Sequence, residues 1–238
     1  MVKRVLLNRL KKHIPNFITT LNLLAGCFSV YFALHGQLIH ASWMIGLAAI
    51  FDFLDGAAAR LLKSQSPMGK VLDSLADIVS FGLAPGFIAM MLIAIAKPVW
   101  QFLPFLALLV PVFSALRLAK FSIDDRQTEH FLGVPTPANA LLFASFPLIL
   151  SHPSPFIPVE SILGKPVIMS VIVVVTSALL VIDRPILSMK FKDFSWLHNR
   201  PRYLLIGLTV VLLPLLSYAA VPIVFLAYLL ISGLMLRR

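Results

Sequence analysis

Long apolar runs separated by short polar stretches set the rhythm of this chain. A membrane-crossing helix needs about 20 mostly apolar residues. Eight stretches reach or approach that length: 16–34, 42–62, 74–96, 100–118, 137–151, 166–182, 203–219 and 221–236. They lack the strict two-residue alternation of a half-buried strand, so the pattern predicts helices. Pro222 between the last two predicts a tight hairpin. The expected fold class is all-α, a polytopic integral membrane helical bundle of about eight transmembrane helices.

Ahead of these runs, Val2, Leu6, Leu10 and Ile14 recur at four-residue spacing, with basic residues elsewhere on the wheel. That segment reads as an amphipathic helix on the cytoplasmic leaflet, or as a basic juxtamembrane stretch that sets orientation. The expected organisation is an interfacial helix over 1–15, a six-helix core over 16–182, a basic cytoplasmic loop over 183–202 and a helical hairpin over 203–238. The Pro-rich stretch 151–158 reads as an external loop.

Composition agrees. Charged residues make up 13% of the chain, against about a quarter in a soluble domain, which excludes disorder and argues against a soluble globular protein. The net charge of +10 reflects topology rather than nucleic acid. With the N-terminus cytoplasmic, 18 of the 20 Lys and Arg residues fall on the cytoplasmic side, leaving only Lys97 and Lys165 opposite. This positive-inside bias predicts an even number of spans in the cytoplasmic (inner) membrane with both ends inside. Cys27 is the sole cysteine, so neither a disulfide within the chain nor a thiolate zinc site is available.

The acids carry the functional signal. Four of ten lie in DFLDGAAARLLKSQSPMGKVLDSLAD. Asp52 and Asp55 share one helix face, as do Asp73 and Asp77. The short turn Lys63 to Pro67 makes the two helices antiparallel neighbours, so four carboxylates converge on one shallow intramembrane pocket. An Asp at mid-bilayer costs about 2.5–3.5 kcal/mol, and divalent cations that favour oxygen ligands, Mg²⁺, Mn²⁺ or Ca²⁺, would offset this. Arg60, Lys63, Lys70 and the bare backbone at Gly56 and Gly69 suit an approaching pyrophosphate. The alternatives are interfacial salt bridges to the same bases, or a cation-transport site.

The spacing Asp52-x2-Asp55-Gly56-x2-Ala59-Arg60-x8-Gly69-x3-Asp73-x3-Asp77 resembles the signature of the CDP-alcohol phosphotransferase family at all eight of its specified residues. Members transfer a substituted phosphate from a CDP-linked donor to an alcohol and release CMP. The resemblance implies that Asp52, Asp55 and Asp73 bind two divalent metals, that Asp77 completes the metal site and acts as general base, and that Gly56, Ala59, Arg60 and Gly69 border the CDP moiety. Lys70 is grouped with them. Asn16, Thr19 and Asn22 read either as lining of the nucleotide pocket or as capping and packing groups.

The run LDSLADIVSFGLAP, with Ser74 where glycerophosphate-accepting relatives more often carry Lys, is similar to the serine-accepting branch. So are Pro15–Thr19 with Leu21–Gly26, Leu116–Phe121, and Gly133–Ala138. The matching blocks run from Pro15 to about Ala140. They imply CDP-diacylglycerol and L-serine as substrates and, by family habit, a homodimer. Arg117 is a candidate for the serine carboxylate, or else a residue that snorkels to the interface. Ser80 and Ser114 are candidates for neutral acceptor contacts. His130 is the one histidine placed to approach the site. Glycerol 3-phosphate or inositol is the alternative acceptor. A divalent-cation transporter, or more distantly an interaction-only scaffold, is the alternative of another class.

Overall fold

The computed structural model describes residues 2–64, 66–123, 131–153, 159–187 and 195–235. Ten α-helices account for most of it: α1 (Val2–Leu34), α2 (Leu38–Leu61), α3 (Pro67–Asp77), α4 (Ala84–Ile95), α5 (Leu109–Ile123), α6 (Thr136–Ser151), α7 (Val159–Leu163), α8 (Pro166–Val181), α9 (Trp196–Leu216) and α10 (Ala220–Met235). A π turn, Ile78–Leu83, joins α3 to α4. Two 3-10 turns, Leu103–Leu108 and Ser217–Ala219, precede α5 and α10. The two short strands, β1 (Phe131–Leu132) and β2 (Pro185–Ile186), pair antiparallel.

All eight expected stretches are helical. The segments His13–Leu34, Leu38–Leu61, Pro67–Ile95, Leu103–Ile123 and Asn199–Gly233 are long and apolar enough to cross a membrane, while α6 and α8 are shorter apolar helices. The last of these segments folds back on itself at Ser217, whose φ of 51° ends α9. Leu205 and Thr209 of α9 line the same cleft as Val224 and Tyr228 of α10, the pairing of an antiparallel hairpin. The reversal thus falls just before Pro222. The segment expected as a separate interfacial helix is helical but continuous with the first span, α1 running through Pro15. His130, the acids at 124, 125 and 129, and residues 154–158 of the Pro-rich stretch lie outside the described residues.

The distribution of side chains is that of a membrane protein. Leu61, Ile123 and Phe53 are among many large apolar residues left exposed, whereas Asn22, Ser80, Ser114 and Asn139 are fully buried beside Phe81, Phe143 and Ile88. Without a hydrophobic driving force between helices, association rests on close van der Waals packing at small residues. A Cβ on Gly26 of α1 would collide with Ser80 of the π turn, and one on Gly86 would meet Pro111 Cδ at 2.9 Å. These contacts seat α1 and α5 directly against the π turn and the start of α4.

Backbone caps set the reversals. Gly36 (φ 73°) closes α1 with Gln37 N donating to Phe32 O and Gly36 N to Ala33 O, a Schellman motif. The same pair of bonds closes α2 at Lys63, where Ser64 N donates to Ala59 O and Lys63 N to Arg60 O. Ser66 then caps α3, its hydroxyl accepting from Gly69 N at 3.0 Å, with Pro67 in the first turn. The turn between the acidic helices is thus fixed from both sides.

Gly133 (φ 73°) binds the segment before α6 to the end of α8: Gly133 N donates to Arg184 O and Val134 N to Leu179 O. A Cβ there would strike Leu180 O. Gly133→Ala should therefore lower stability by about 1–3 kcal/mol. Gly207→Ala, on a helical glycine with nothing within 4 Å, should leave it unchanged or slightly raised. Thermal melts of the two variants in detergent check this difference in sign.

Candidate active site

Antiparallel α2 and α3 bring their acidic faces together. One carboxylate oxygen from each of Asp52, Asp55 and Asp73 lies within 4.8 Å of the others. Asp77, one turn beyond Asp73, lies outside that trio but within electrostatic reach of all three acids and beside Asn22 of α1. No salt bridge among the described residues engages these acids. Asp55 Oδ2, Asp73 Oδ1 and Asp77 Oδ1 are buried without a hydrogen-bond partner. Interfacial salt bridges are therefore not what holds these carboxylates.

Such an arrangement fits divalent cations. Buried acceptors without donors are costly, like charges at this range repel, and an all-oxygen donor set suits hard cations rather than zinc or copper. The cluster borders a cavity of about 740 Å³ lined by Asn16, Thr19, Asp55, Gly56, Ala59, Gly69, Lys70 and Asp73, which is within the usual range for small-molecule sites. Pro15, Ser64, Ser66 and Pro67 complete the wall.

Glycine has two distinct uses here. A Cβ at Gly56 would meet nothing within 4 Å, so its bare backbone faces open space. A Cβ at Gly69 would lie 2.9 Å from Asn16 Oδ1 and 3.1 Å from Ser66 Oγ, so this glycine allows α1 to close on the start of α3. Thr19, beside Asp55, donates its hydroxyl to Pro15 O at 3.0 Å. Proline at 15 removes one backbone donor from α1, and the polar wall is built around it.

Sequence reasoning brought Asn16, Thr19, Gly56, Ala59, Gly69 and Lys70 to the nucleotide side, and all six line the cavity. Arg60 does not: its side chain is exposed and absent from the wall, because it projects from a different face of the last turn of α2. Ser80 also differs from its expected use, since its hydroxyl donates to Asn22 O at 3.0 Å and ties the π turn to α1. Ser114 and Arg117 share one face of α5, both buried, with Ser114 Oγ and Arg117 Nε unpartnered. Arg117 stands within electrostatic reach of Asp77 and Tyr228. The Ser-Pro signal at the start of α3 marked a helix cap in sequence, but nothing marked Ser64 and Ser66 as cavity wall.

This helical membrane bundle, with its acidic floor and polar cavity, defines the class of the protein. The family model for CDP-alcohol phosphatidyltransferases matches residues 12–182, and the chain belongs to that family. Similar proteins include three named CDP-diacylglycerol–serine O-phosphatidyltransferase. That of Mycobacterium leprae is 41% identical over 136 residues, covering 54% of this chain and 44% of the relative. That of Helicobacter pylori strain 26695 is 36% identical over 134 residues, covering 54% of each. That of Bacillus subtilis is 35% identical over 145 residues, covering 58% of this chain and 80% of the relative. The chain thus spans about half the length of the first two.

If the acids are a cation site, removing one should relieve repulsion in the metal-free protein. In chelator, Asp55→Asn should melt several degrees above the parent. The parent should gain stability on addition of Mn²⁺ or Mg²⁺, and the variant should gain little. A variant that melts lower in chelator would mean that Asp55 is a structural acid.

Proposed function

We propose that this protein is a CDP-diacylglycerol–serine O-phosphatidyltransferase of the cytoplasmic membrane, forming phosphatidylserine and releasing CMP. The observation that carries the reading is the convergence of Asp52, Asp55 and Asp73 beside a cavity walled by the residues of the CDP-alcohol signature. Serine as acceptor is supported by the three relatives of that name.

In this reading the CDP group enters the cavity between α1, α2 and α3. Gly56 and Ala59 offer no side chain to obstruct it, while Asn16 and Thr19 offer polar contacts. Lys70 and the N-terminal turn of α3 present positive charge to the pyrophosphate. Asp52, Asp55 and Asp73, completed by Asp77, would hold Mg²⁺ or Mn²⁺, which neutralise the pyrophosphate and stabilise departing CMP when bound.

Serine is held on the far side of Asp77, with the Arg117 guanidinium gripping its carboxylate by parallel hydrogen bonds and Ser114 beside it. The serine hydroxyl oxygen attacks the β-phosphorus of CDP-diacylglycerol. The bond to the CMP oxygen breaks as the new phosphodiester forms, and the hydroxyl proton passes to Asp77. A carboxylate is a weak base for an alcohol, so proton transfer accompanies attack rather than preceding it. The acyl chains remain in the cytoplasmic leaflet, and the acids lie at the α2–α3 turn, within reach of both lipid and cytosol.

Purified protein with CDP-diacylglycerol and Mg²⁺ or Mn²⁺ should release CMP on addition of L-serine, and not with glycerol 3-phosphate or inositol. Asp77→Asn should lower kcat by about 10²-fold or more, the usual scale for a lost general base, while cation-dependent binding of CDP-diacylglycerol persists. Release driven by another alcohol would replace serine as the acceptor. Cation flux in vesicles without CMP release would overturn the transferase reading altogether.

A further inference from the structure

The C-terminal hairpin lies beyond the family-matched stretch, yet it is fastened to the bundle beside the proposed acceptor side. Tyr228 and Ser232, four apart on α10, are both buried. They grip Leu187 by its backbone: Tyr228 Oη donates to Leu187 O at 3.0 Å, and Leu187 N donates to Ser232 Oγ at 3.2 Å. Ser232 Oγ in turn donates to Tyr228 O at 2.7 Å. Leu187 follows β2, which pairs with β1, and Gly133 next to β1 is bonded to Arg184. One polar clasp therefore joins α10 to the loop segments at the ends of α5 and α8.

Arg117 lies against those segments. With Leu132, Leu180, Ile182 and Asp183 it encloses a small recess, and it stands within electrostatic reach of Tyr228 on one side and Asp77 on the other. A buried guanidinium with an unpartnered Nε has several orientations open to it unless a neighbour selects one. A phenol whose hydrogen is committed to a backbone carbonyl has its rotor fixed and its lone pairs free to accept. Tyr228 is such a phenol, and its oxygen can only attract the cation.

We propose that Tyr228 of α10 is a positioning residue for Arg117, and that through it the C-terminal hairpin sets the affinity for the acceptor's anionic group. This rests on Arg117 holding the acceptor carboxylate, as read above. Ser232 belongs to the clasp alone and acts on fold stability, not on Arg117.

The test is steady-state CMP release by the purified full chain, with serine and CDP-diacylglycerol varied in turn. Tyr228→Phe keeps the ring and removes the oxygen. It should raise the serine KM about five- to tenfold, the scale of one hydrogen bond to a charged group, with kcat within about twofold and the KM for CDP-diacylglycerol unchanged. Ser232→Ala should lower the melting temperature and leave the serine KM within about twofold. In an Arg117→Lys background, Tyr228→Phe should add little, because the two residues act as a unit. An unchanged serine KM in Tyr228→Phe, or equal rises in both KM values, would overturn the proposal. If the parent instead releases CMP only with glycerol 3-phosphate, serine fails as acceptor, and a Tyr228 effect on that substrate's KM decides the positioning role separately. If no alcohol drives release, both readings fall.

Discussion

The arrangement of this molecule depends on the convergence of acidic side chains where α2 meets α3, in a chain with few charges of either sign. Asp52, Asp55 and Asp73 bring carboxylate oxygens within 4.8 Å of one another, and no basic side chain among the described residues closes a salt bridge with them. In a bundle surrounded by lipid, such a cluster opposes folding until something binds it. The neighbouring backbone is accordingly held without help from the acids. A Schellman motif ends α2, a serine cap starts α3, and proline fixes the first turn between them.

The opposing stability comes from packing deeper in the bundle. Gly26 against Ser80, Gly82 against Ser114 and Gly86 against Pro111 are contacts at which a single methyl group would not fit without movement. They centre on the π turn that follows Asp77, where Ala84 N bonds back to Val79 O. Pro85 has no amide hydrogen to offer, and the wider turn accommodates it inside an otherwise continuous helix. The same irregularity lies next to the proposed base and brings Ser80 onto the carbonyl of Asn22. Close packing and the site therefore share one backbone feature.

The sequence reveals most clearly what is local within it. Eight apolar runs became eight helical stretches because a bilayer imposes length and hydropathy directly. The acids and the glycines around them lie within one helical hairpin, so periodicity alone brought them together. What could not be read depends on contacts across the chain. Arg60 sits at signature spacing, yet helix rotation directs it out of the cavity. Ser80 looked available until a residue 58 positions away took its hydrogen. The left-handed turn at Lys63 has no glycine to announce it, and the π turn has no sequence period of its own. The continuity of α1 through Pro15 likewise depends on packing against its neighbours rather than on local preference.

This contrast bears on how one framework serves different acceptors. The metal and nucleotide side draws on α1, α2 and α3, with its acids and glycines confined to residues 52–77, so it is inherited as a unit. The side assigned to the alcohol draws on α5, the loop segments at β1 and β2, and α10, which lies outside the matched stretch. Groups drawn from distant elements can change one at a time without disturbing the carboxylates or the turn that holds them. Discrimination among alcohols is a difference in binding energies at a few polar contacts, and a buried arginine needs only a slight reorientation to lose a bidentate partner. Acceptor choice should therefore follow how Arg117 is held, by helices that carry no motif, more closely than it follows the acidic signature itself.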